Sequence, residues 1–173
     1  NPLAPGRLIV FSVVLIGSTL FTILLNAPGW ACPDTGMQYA QVVAEQYCAD
    51  HPPLMARAWF YLNIICLGPL GMLCVHAFLY HAGIALVLLF LPMPLVLQVV
   101  LYFLVSFFPP VYGIVGVVWK DVPAFLGGVL AFGFILAYIA TRRLWLIPLI
   151  VFSVLLSMFA RHNTFSLVPG LLM

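Results

Sequence analysis

Charge is what this sequence has least of: six basic and four acidic residues stand among 173, or 6% of the chain. They are scattered, so no basic stripe exists to follow a phosphate backbone, and nucleic acid drops out as a partner class. No CxxC pair occurs, which removes the central feature of a thioredoxin-like, quinone-coupled oxidase. Internal repeats and rows of pore-lining charge are also missing, so nothing in the chain points to a channel or transporter.

Apolar surface is what the chain has in excess. Hydrophobic residues make up 65% of it and mean hydropathy is +1.22, more than a water-soluble fold of this size can hide. The implied class is all-α: a polytopic transmembrane helical bundle forming one integral membrane domain over residues 1–173. About five spans are expected, with four as the alternative count, at 8–25, 58–80, 84–105, 122–141 and 144–160. Asn1 in place of an initiator methionine suggests processing, and the run after Arg7 is long for a signal peptide, so it is read as a retained helix.

The stretch 50–83 organises the rest. Its apolar segment carries Asn63, a Gly68-Pro69-Leu70-Gly71 break, two cysteines and His76, residues that lipid alone does not require. Pro69 removes a backbone donor and predicts a kink, so this helix belongs inside a bundle. Before it lies the longest polar stretch, in which 37–47 lacks Gly and Pro and predicts a short interfacial helix capping one mouth. Ala82-Gly83 allows a tight return, Pro92 and Pro94 bend the next span, and 111–118 is too short to cross. A re-entrant piece or a displaced third span both remain open there. Gly127, Gly128, Ala131 and Gly133 suit close helix approach.

Five spans put the termini on opposite sides. Arg7, Arg142 and Arg143 then share an acid-free face, while Arg57, Lys120 and Arg161 share the other with all four acids. The basic residues tie, so the positive-inside rule does not decide. The paired arginines and the long polar loop incline the amino terminus toward the cytoplasm.

Little reactive chemistry is visible. Cys32 and Cys48 share a loop and are the candidate disulfide, with two free thiols as the alternative. Cys66 and Cys74 are read as packing residues. His51 and His162 fall near one face and keep b-type haem open as a minor alternative; otherwise no cofactor and no metal is expected. Zinc on Cys48, Asp50 and His51 would need another element, because such near neighbours rarely converge on one ion. The candidate ligand-binding residues read from the spans are Asn63, His76 and Gln98, with Tyr138 and the aromatic Trp59 as further lining. Intramembrane polar groups of this kind either line a cavity or pack helices together.

Asp50, Pro53-Leu54, Ala58-Trp59-Phe60 and Cys66 follow one another in an order that resembles the EXPERA superfamily, in its sigma-2 receptor branch. Gly68-Pro69-Leu70 and Ala77-Phe78-Leu79 are similar to the emopamil-binding isomerase branch. The match covers about 35 residues. The resemblance implies a helical bundle around a cavity for a sterol or other amphiphilic lipophile, residence in the endoplasmic reticulum, Asp50 as the ligand-associated acid, and Asn26 as a further candidate ligand-binding residue in the region of another family acid at the end of the first helix. Leu67 stands where the family has an acid, and Phe60 where the isomerase has its catalytic one. Sterol isomerisation needs a proton donor and acceptor in a dry site, so the expected function is a noncatalytic binder. One alternative is an accessory subunit of a larger membrane complex, homo-oligomeric or heteromeric. Another is a lipid-modifying enzyme with Asp50 and His51 at the cavity mouth.

Overall fold

The computed structural model describes residues 2–47 and 53–161, and all regular structure among them is helical. The order is α1 (Pro5–Asn26), α2 (Pro33–Ala44), α3 (Pro53–Ile65), α4 (Leu70–Phe90), α5 (Leu95–Ser106), α6 (Pro109–Val115), α7 (Asp121–Thr141) and α8 (Leu146–Ala160). Of these, α1, α4 and α7 are long and apolar enough to cross a membrane. At 1.5 Å per residue, 21 or 22 residues reach just over 30 Å, the thickness of a hydrocarbon core. The pair α5 and α6, bent by 66°, makes a fourth span if counted as one, and α8 is a shorter apolar helix of 15 residues. Exposed Leu24, Ile64 and Val96 give the bundle an apolar exterior.

The expected second span at 58–80 is corrected: it is broken between Ile65 and Leu70 instead of kinked. Gly68 takes φ +83°, open to glycine, and Pro69 brings no N–H. Side chains satisfy the backbone freed there. Asn63 Oδ1 accepts the Gly68 N–H at 2.8 Å, and Trp59 Nε1 donates to the Gly68 carbonyl at 2.9 Å. The return expected at Ala82-Gly83 is also corrected, since α4 runs straight through it. Gly83 serves helix contact there, because an added Cβ would lie 2.9 Å from Val129 of α7. The chain turns later, at 91–94, where Pro92 and Pro94 end the expected third span. Residues 107–118 fold as the short α6 with its flanks. A short helix does stand where the interfacial one was expected at 37–47, but it runs Pro33–Ala44, with Cys32 as its N-cap.

Helix α4 is the hub, touching α1, α3, α5, α6 and α7. One core cluster joins Phe11, Tyr80, Ile84, Tyr102 and Leu126; a second, under the α2–α3 cap, joins Val42, Met55, Trp59, Leu73 and Val118. The α7–α8 contact rests on Gly127, where a Cβ would come 2.7 Å from the Ser153 carbonyl, and Ser157 Oγ donates to the Ala124 carbonyl at 2.6 Å.

The two ends of the bundle differ in chemistry. At one, Arg7 meets Met93 and Gln98. At the other, Trp30 pairs with the backbone at Gly116 and Val118, Lys120 binds Asp34 at 3.1 Å, and Arg161 binds Asp121 at 3.0 Å.

Candidate functional site

A groove of about 510 Å³ lies between α4, the bent α5–α6 pair and α7. Helices α4 and α7 each contribute one stripe at helical spacing. Tyr80, Ile84, Val87 and Leu88 come from α4, and Phe125, Gly128, Val129 and Phe132 from α7. Val105 and Val111 close it on either side of the bend. Phe125 and Phe132 are 45% and 46% exposed and form a rim on the outer surface of the bundle. Gly128 forms open floor, with nothing within 4 Å of where a Cβ would stand.

The groove exists because α5 stops short. Phe107 and the two prolines at 109–110 break the helix, which leaves the last carbonyls of α5 without their usual partners. Tyr80 takes them: its hydroxyl donates to the Ser106 carbonyl at 2.9 Å and to Val105 at 3.2 Å. Among the described residues, the one polar side chain lining the groove thus has its hydroxyl committed to backbone, and the walls offer carbon. Such a surface recognises shape and apolar area and leaves little means of moving protons.

Behind the groove a polar link crosses the bundle. His81 Nε2 lies 2.8 Å from Thr22 Oγ1 on α1, and Nδ1 lies 3.0 Å from the Tyr102 hydroxyl on α5. One ring nitrogen that donates and one that accepts satisfy both hydroxyls, as a neutral imidazole does. Ser18 and Ser106 adjoin the same Tyr102 hydroxyl. Thr22, His81 and Tyr102 are all fully buried, so this link tethers three helices and presents no face to a ligand.

The residues singled out from sequence are dispersed. Asn26 sits at the end of α1, where Nδ2 donates to the Thr22 carbonyl and the Tyr112 hydroxyl and Oδ1 accepts from Trp30. Trp59 and Asn63 hold the Gly68 break together. Gln98 caps the far end of α4, donating to Leu88 at 2.6 Å and Leu91 at 3.0 Å while its Oε1 accepts from Arg7 at 3.2 Å. His76 is 1% exposed, and its ring has the Val117 backbone as its polar neighbour. None of these lines the groove. Asp50, Cys48, His51 and His162 lie outside the described residues, so the disulfide, haem, zinc and cavity-mouth readings fall there too. Among the described residues no disulfide forms, and Cys32 Sγ instead lies 3.1 Å from Thr35 Oγ1. No group of metal ligands gathers among them.

Sequence reasoning missed the groove because its lining is the ordinary currency of membrane helices. The available signal was the i, i+3, i+4, i+7 stripe from Phe125 to Phe132 with a glycine inside it. Comparison of the chain with protein families, with curated proteins and with solved structures finds no match.

Proposed function

We propose that this chain is a noncatalytic, EXPERA-like binding protein that holds a sterol or another amphiphilic lipophile in the groove between α4, α5–α6 and α7. The observation that carries the reading is the groove itself, about 510 Å³ of apolar space with an open glycine floor. That volume falls within the range of small-molecule sites. A rigid, flat, apolar body gains most from such walls, at roughly 25 cal/mol for each Å² withdrawn from water. Residence in the endoplasmic reticulum belongs to the same proposal.

The contacts at the two ends support a serpentine of five crossings, α1, α4, α5–α6, α7 and α8, with α2 and α3 as a cap on one side. Arg7, Arg142 and Arg143 then share the side opposite Asp34, Glu45 and Asp121.

The test is saturable binding of a photoreactive sterol to the purified chain. Gly128→Leu projects a side chain into the groove without meeting another atom at its Cβ. It is expected to abolish binding while the protein stays folded. Undiminished binding in this variant would remove the groove from the proposal. A second reading, an accessory subunit whose partner helix fills the groove, draws on the same open floor at Gly128, since small residues admit close helix approach. It predicts co-purification of a second chain that Gly128→Leu displaces.

A further inference from the structure

A second cavity, of about 480 Å³, opens at the other end of α4. Arg7 forms its polar wall; Phe90, Leu91 and Met93 form its apolar one, and Ala140 of α7 closes it. Arg7 is fixed in place by donating to Gln98 Oε1 at 3.2 Å and to the Met93 carbonyl at 3.3 Å. Gln98 is itself anchored on the end of α4. A guanidinium has five N–H donors in a planar fork, so donors remain for a further acceptor.

Charge at this end is one-sided. Arg142 and Arg143 follow two and three residues after Ala140, and both are exposed. Among the described residues the acids lie at the opposite end, where Asp34 binds Lys120 and Asp121 binds Arg161, with Glu45 following α2. We propose that this end of the bundle binds the anionic headgroup of a membrane phospholipid, with its phosphate on Arg7 and its acyl chain against Phe90, Leu91 and Met93. Arginine presents a fork matched to phosphate oxygens. Apolar walls beside it, at the end of membrane-length helices, select a tailed phosphate over a free one. This site shares no lining residue with the groove, so the two proposals stand or fall separately.

The experiment uses the full chain in phosphatidylcholine vesicles containing a small fraction of spin-labelled phosphatidylglycerol, with spin-labelled phosphatidylcholine as the reference. Phosphatidylglycerol is expected to be preferentially immobilised. The preference should fall by about fivefold for each arginine removed and weaken as salt is raised. Arg7→Lys should keep most of it and Arg7→Gln should lower it by about that factor. Because Arg7 also braces Gln98, the exposed double variant Arg142→Gln/Arg143→Gln gives an independent reading and should lower the preference without unfolding the bundle. Equal immobilisation of the two lipids, or a preference unchanged in both Arg7→Gln and the double variant, overturns the proposal. Displacement of the lipid by inorganic phosphate, but not by chloride at equal ionic strength, would assign the site to a free phosphate and overturn the lipid assignment.

Discussion

His81 and Thr22 meet across the α1–α4 interface through a 2.8 Å hydrogen bond, and the opposite ring nitrogen of His81 meets Tyr102 on α5 at 3.0 Å. One imidazole thereby fixes three helices. His81→Phe keeps the ring volume but leaves the Thr22 hydroxyl without this partner, at an expected cost of roughly 1–3 kcal/mol. Individual hydrogen bonds between membrane helices average about 0.6 kcal/mol, so Tyr102→Phe should cost less than His81→Phe. Unfolding by detergent titration measures both.

Two adjacent glycines make opposite predictions. Gly127 faces α8 with a Cβ position 2.7 Å from the Ser153 carbonyl and the Ser157 backbone nitrogen, whereas at Gly128 a Cβ meets nothing within 4 Å. Gly127→Ala should therefore force α7 and α8 apart and destabilise by about 1–3 kcal/mol, the cost of overpacking. Gly128→Ala should be neutral or slightly stabilising, since it gains helix propensity without a clash. The same detergent titration on the pair reads out the difference.

At the break between α3 and α4, Asn63→Leu removes the acceptor for the Gly68 N–H, and Trp59→Phe removes the donor to its carbonyl. Each is expected to cost about 1–2 kcal/mol. Gly68→Ala adds strain at φ +83°, of order 1 kcal/mol. Hydrogen exchange at 66–70 should rise in all three variants, ahead of exchange in the middle of α4.

These cases show what the residues disclosed beforehand. Membrane class, the helical fold, and the courses of α1, α7 and α8 followed from apolar run length and from the breakers at Asn26-Ala27-Pro28-Gly29 and Arg142-Arg143. The middle of the chain was misdivided, because Gly68-Pro69 and Ala82-Gly83 look alike as punctuation. Only tertiary contact distinguishes them: Asn63 and Trp59 stabilise a break at the first, while Val129 packs Gly83 into a continuous helix at the second. Polar residues were the natural candidates for a ligand site. Asn26, Trp59, Asn63 and Gln98 instead bond backbone groups where helices end, a duty that lipid imposes because no water is there to share it. The groove was not legible because its recognition surface is carbon, indistinguishable in sequence from the rest of the bundle's apolar exterior.

The central claim is that the α4–α7 groove holds a lipophile, and native mass spectrometry of the gently extracted protein tests it most directly. The account predicts a stoichiometric small-molecule adduct on the wild-type chain that is absent from Gly128→Leu and retained by Asn63→Leu, whose side chain does not line the groove. An adduct retained in full by Gly128→Leu, or a wild-type chain carrying a protein partner and no lipophile, would contradict it.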